Sequence, residues 1–151
     1  MARWRIGEAE VEALIASGEL QKLTGEAANG HRLLEKAAVT LQTAMTATDR
    51  DPDSALVLAY DAARQALTAL LAQQGLRPTT KGGHYAVERT VRAQFGHGFR
   101  QFGALRRRRN ELEYPERPGD DATVQEAADS VERAGAIIAA AEGLIGQLAI
   151  F

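Results

Sequence analysis

The chain has 151 residues, a formal net charge of -2, 45% hydrophobic side chains and no cysteine. That length fits one domain able to bury a core of its own, and the missing thiols exclude disulfide scaffolds, thiolate zinc sites and thiol catalysis. With no basic, apolar leader and no apolar run of about 18 residues, the sequence reads as a soluble, cytoplasmic protein with no membrane partner.

Alanine and leucine dominate, and no β-branched run alternates with polar residues, so the expected fold class is all-α. Ile6 to Ile15 forms a short helix ended near Gly18. Trp4, between Arg3 and Arg5, anchors this N-terminal segment to the bundle or lies at a subunit contact. From Glu26 to Thr46, Leu33, Leu34, Ala37, Ala38, Leu41 and Met45 recur at helical intervals and mark a longer amphipathic helix. Asp51-Pro52-Asp53-Ser54 is a helix start, with Asp51 as cap and Pro52 at the first helical position. That helix runs to about Gln74 on an apolar face of Leu56, Tyr60, Ala63, Leu67 and Leu70, and Gly75 stops it.

A loop, Arg77 to Gly83, precedes a helix from His84 to Phe95, and Gly96-His97-Gly98 breaks the chain before a helix ending near Glu113. After Pro115 and Pro118-Gly119, Thr123-x-x-Glu126 offers a capping box for the last helix. Val124, Val131, Ile138 and Ile145 form one seam of that helix, and Ala127, Ala134, Ala141 and Leu148 the other. The expected architecture is an antiparallel bundle of four main helices plus a short N-terminal helix.

Charge is unevenly spread. Arg77 to Arg117 holds 10 basic and 4 acidic side chains, for +6, and the remainder holds 8 basic and 16 acidic, for -8. The basic share peaks in Arg106-Arg107-Arg108-Arg109. At roughly 100° per residue, Phe95, Phe99, Phe102, Leu105, Arg109 and Leu112 share one side of their helix, with Arg106 beside the stripe and Arg107 and Arg108 turned outward. An arginine on an apolar stripe needs a carboxylate, a wet cleft or a phosphate, because burying an unpaired charge is costly. Asp61 is the acid considered for a structural pair.

Arg109-Asn110-x-x-x-Tyr114, near the end of a late helix in a small all-α chain, resembles the HEPN superfamily (higher eukaryotes and prokaryotes nucleotide-binding domain). Arg50-Asp51-Pro52-Asp53-Ser54 leading into Ala55 to Tyr60 is similar to the start of that family's second core helix. The resemblance spans about 25–150 of a single 1–151 domain, leaving 1–24 as a helical extension. Many members are ribonucleases in which an Arg-x-x-x-x-His motif from each of two protomers lines a shared cleft, with a polar residue after the Arg. The resemblance puts Arg109 at the Arg, Asn110 at the polar neighbour and Tyr114 at the His.

All three histidines, His31, His84 and His97, precede Arg109. An imidazole titrates near ~6.5 and a phenol near ~10, so Tyr114 is a poor general base. The resemblance therefore implies RNA or nucleotide binding by Arg106, Arg109, Asn110 and Tyr114 more than catalysis by Arg109 and Tyr114. It implies a homodimer, a toxin-antitoxin or defence setting, and a cognate antitoxin or nucleotidyltransferase as partner. In a related toxin type the nucleotide-accepting Tyr follows the motif His by two residues; that position here is Glu116, so the modification is not carried over. An active ribonuclease toxin and a protein-protein interaction module are the alternatives.

No metal or cofactor is expected. His31 with Glu35 and His84 with Glu88 are one helical turn apart, but the repeated Glu-x-x-His units of a di-iron bundle are missing. Gly82-Gly83 lacks a phosphate-loop pattern and reads as a turn, and His97 reads as a loop residue that a folded dimer could bring to the Arg109 cleft.

Overall fold

The computed structural model describes residues 2–151. Its helices are α1 (Glu8–Ala16), α2 (His31–Ala47), α3 (Pro52–Gln73), α4 (Gly83–Phe95), α5 (Gln101–Glu113) and α6 (Val124–Ile145). Short 3-10 turns occupy Gly25–Ala27 and Gly96–Phe99, the second at the predicted break between α4 and α5. The all-α bundle is thus the observed class.

Helix α3 is the hub. Asp51 caps it by accepting from the Ser54 amide at 3.1 Å, Pro52 opens it, and Gly75, with φ 73°, follows its end in a left-handed conformation that a side chain would disfavour. Ala55, Leu56, Ala59, Tyr60, Ala62, Ala63, Ala66, Leu67, Ala69, Leu70 and Leu71 are all fully buried. So many alanines let α2 and α6 approach α3 closely, and those are its main neighbours. By length and composition α3 is apolar enough to cross a membrane, but its apolar residues are taken up by this core.

The predicted seam of Ala127, Ala134 and Ala141 on α6, with Leu148 just beyond its end, is buried within the chain, so it is not a free surface for a second copy. On α2 the buried stripe is Leu34, Ala37 and Ala44, with Leu33 and Leu41 flanking; Ala38 and Met45, expected on it, face solvent. The phase follows contact with α3 and α6 together, which selects a narrower face than the sequence pattern did. Helix α2 also starts five residues later than expected, at His31, because the chain before it forms the 3-10 turn.

One element was not anticipated. β1 (Leu20–Lys22) and β2 (Leu76–Pro78) form an antiparallel ribbon, pairing Leu20 with Pro78, Gln21 with Arg77 and Lys22 with Leu76. Three-residue strands carry too little alternation to be read, and the partners are far apart in sequence. The ribbon ties the N-terminal segment to the end of α3. Trp4 reinforces this by donating from Nε1 to the Gln94 carbonyl at 3.0 Å and packing on Phe95, the bundle-anchor reading of that residue.

Helix α4 is registered against α3 at both ends. Near its C-terminus Gln94 and Gln74, both 1% exposed, exchange reciprocal amide bonds of 2.6 and 2.9 Å, and Gln74 also donates to the Leu70 carbonyl. Near its N-terminus His84 meets Tyr60.

Candidate nucleotide site at the junction of three helices

The four arginines of α5 have separate environments. Arg106 donates from Nε to Glu88 Oε2 at 2.6 Å, across to α4, and the Glu88 side chain is only 7% exposed. Arg92 approaches the other Glu88 oxygen at 3.2 Å. Gly103 makes this possible: a Cβ there would lie 2.7 Å from Glu88 Oε1. Arg107 is exposed.

Arg108, expected to point outward, instead ties α5 to the start of α6. It donates to Glu126 at 2.7 Å, to Glu111 at 3.2 Å and to the Asp120 carbonyl at 2.9 Å. The Glu126 carboxylate raises the Arg108 pKa further above its ordinary value. This changes the capping box as well: Thr123 accepts from the Glu126 amide at 3.1 Å, while the Glu126 side chain goes to Arg108.

Arg109 lies where the stripe places it, with its guanidinium carbon 5.7 Å from the centre of the Tyr60 ring. Its acid is Glu113, one turn along the same helix at 3.0 Å, rather than Asp61. Asp61 sits instead 3.8 Å from Arg64. Arg109 also donates to Asn110 Oδ1 at 3.2 Å, and its buried Nε has no partner. Arg109 and Asn110 are therefore brought together.

Tyr114 ends α5 by donating its amide to the Asn110 carbonyl at 2.9 Å, and its side chain is 75% exposed. It shares an open groove with Asn110, Glu111, Glu116, Arg117 and Asp120. Arg109 is not in the lining of that groove, and three acids against one arginine make it a poor place for a phosphate.

On the other side of Arg109 the structure assembles residues that the sequence did not single out together. Tyr60, on α3, is fully buried and stacks on Phe102 of α5 with ring centres 5.4 Å apart. Its hydroxyl is 2.8 Å from His84 Nδ1. Burial pushes the Tyr60 phenol up to about 12, against the opposing pull of the Arg64, Arg109 and Arg106 charges. Tyr60 thus keeps its proton, and His84 Nδ1 is the partner available to accept it.

The acceptor role leaves the ring proton of neutral His84 on Nε2. His84 is held below the ordinary imidazole range, first by partial burial and then by the charges of Arg64 and Arg109, with Asp61 opposing and Arg106 adding a smaller push. His84 is nonetheless exposed at the surface. Because its Nδ1 is committed to Tyr60 and Glu88 to two arginines, the pair considered as metal ligands is drawn to separate partners.

The missed signal was the lone tyrosine on an alanine- and leucine-rich face: a buried hydroxyl requires a partner. Arg64, one turn after Tyr60 on the same helix, lies at the same junction; its Nε is buried without a partner.

The site thus sets an arginine-rich helix against a buried tyrosine in a small helical bundle. The HEPN domain family matches residues 31–144, and the chain belongs to that family. At family level it is a nucleotide- or RNA-related module. Neither a curated protein nor a solved structure matches the chain.

Proposed function

We propose that the protein is a HEPN module that binds RNA or a nucleotide through the phosphate, with Arg109 as the principal contact and Asn110 orienting it. The observation that carries this is the sorting of the arginines. Arg106 and Arg108 are locked to carboxylates of other helices, whereas Arg109 holds a same-helix Glu113 whose side chain is 35% exposed. A phosphate can displace such a carboxylate with little disturbance to the bundle, and a guanidinium matches its oxygens in a forked geometry.

Tyr114, exposed at the end of the same helix, offers a stacking surface to a base, and Arg106 contributes field rather than contact. A homodimeric, cytoplasmic toxin-antitoxin or defence protein, with an antitoxin or nucleotidyltransferase as partner, is the setting that goes with this reading. Binding rather than cleavage is the activity proposed, since the position of the motif His holds Tyr114.

Fluorescence anisotropy with a labelled single-stranded RNA tests it. Binding should weaken steeply as salt rises, and Arg109→Gln should lower affinity about tenfold or more. Salt-insensitive binding, or equal affinity in Arg109→Gln, refutes the assignment.

A further inference from the structure

Arg109 does not stand alone on Tyr60. The His84 ring centre is 5.7 Å from the Tyr60 ring centre, and the Arg109 guanidinium carbon is also 5.7 Å from it, so one buried phenol braces both groups. Arg64 completes the arrangement from α3. Its nearest carboxylate oxygen, on Asp61, is 3.8 Å away, beyond hydrogen-bond distance. Two guanidinium groups thus carry buried, unpartnered Nε atoms beside an imidazole whose orientation is set from below.

Charged groups reach His84 from both packed helices: Arg64 and Asp61 on α3, and Arg109 and Arg106 on α5. Arg106 is paired with Glu88 and Arg109 with Glu113, which leaves Arg64, 3.8 Å from Asp61, as the least neutralised of the three cations. Asp61 is partly solvated and Arg106 is committed to Glu88, so Arg64 and Arg109 are the cations left with unused donors.

We propose that His84, Arg64 and Arg109 form a phosphate-binding subsite at the junction of α3, α4 and α5, in which the Tyr60 hydroxyl fixes the imidazole so that Nε2-H donates to a phosphate oxygen. The inference rests on the nucleotide- or RNA-binding reading above and adds a donor set contributed by α3 and α4, outside the α5 motif. The ligand is a phosphate ester, either the terminal phosphate of a nucleotide or the diester of an RNA strand. A neutral imidazole is well suited to such a ligand, because it donates one directed hydrogen bond and a bound anion then favours the second proton.

The imidazole resonances of the full-length protein test this directly by NMR. In the free protein His84 should titrate below the ordinary imidazole range. AMP, carrying a terminal phosphate, and the dinucleoside monophosphate UpA, carrying only a diester, are then titrated in at constant ionic strength. Either should shift the His84 signals saturably and raise the pH at which the ring titrates, while chloride does not. The stronger of the two names the phosphate source.

Arg64→Gln should weaken that response about tenfold, and His84→Gln should lower RNA affinity with circular dichroism unchanged. In Tyr60→Phe the ring should titrate higher in the free protein and respond less. If RNA binding depends on Arg109 yet His84 stays unmoved by both ligands, or if Arg64→Gln leaves the response intact, the subsite is refuted while the binding reading stands. If RNA affinity is indifferent to Arg109→Gln, the binding reading itself falls.

Discussion

Replacing Arg106 by alanine should destabilise the bundle considerably more than replacing Arg109, although the two are neighbours on one helix. Arg106→Ala leaves the Glu88 carboxylate, 7% exposed, with only the surface-lying Arg92 at 3.2 Å. Breaking a buried pair by removing one partner costs roughly 3–5 kcal/mol, and the remaining Arg92 contact reduces this to about 2–3 kcal/mol. Arg109→Ala removes a contact with Glu113 between side chains 23% and 35% exposed, worth about 0–1 kcal/mol. It also removes the guanidinium from the face of Tyr60, worth roughly 0.5–1 kcal/mol.

Urea unfolding followed by circular dichroism separates the two. With a slope of about 1–3 kcal/mol per molar, the Arg106→Ala midpoint should fall by roughly 1 M or more, and that of Arg109→Ala by about half as much. Arg106→Ala combined with Glu88→Ala should cost less than the sum of the single changes, because no buried charge is then left alone. Equal losses for Arg106→Ala and Arg109→Ala, or strict additivity of the double change, would refute the division between a structural and a site arginine.

Gly103→Ala should cost about 1–2 kcal/mol, since its Cβ would press on the Glu88 carboxylate that two arginines hold in place; the same urea assay measures it. Thr123→Ala should cost about 1 kcal/mol by leaving the first turn of α6 uncapped, seen as a lower melting temperature. Tyr60, raised to about 12 by burial, favours its neutral form in the fold. Its contribution is full below the unfolded phenol value near ~10 and is lost as pH rises toward 12, by about 1–2 kcal/mol after allowance for screening. Stability measured from pH 9 to 12 should therefore fall more steeply in the wild type than in Tyr60→Phe.

Much of the fold was legible because its signals are local. The Asp51-Pro52 start, the Gly75 stop, the break at Gly96 and the capping residue Thr123 all act within a turn of their own position. The β1-β2 ribbon and the buried face of α2 were not legible, since both depend on partners far along the chain. The same limit governed the site. Helical phase located Arg109 correctly on the inward stripe, but no spacing reveals that Arg108 reaches Glu126 or that Tyr60 meets His84. Tyr60 read as one apolar residue among many, although its hydroxyl ties α3 to the N-terminal end of α4.

The reciprocal amides of Gln74 and Gln94 give α4 a fixed bearing at the end away from His84. Sliding α4 by one residue would strand polar groups in the core, a penalty that makes its position nearly all-or-none. The imidazole at the opposite end is therefore set like the tip of a clamped beam. A substitution at Gln74 or Gln94 would be felt at His84 as misalignment along the whole length of the helix.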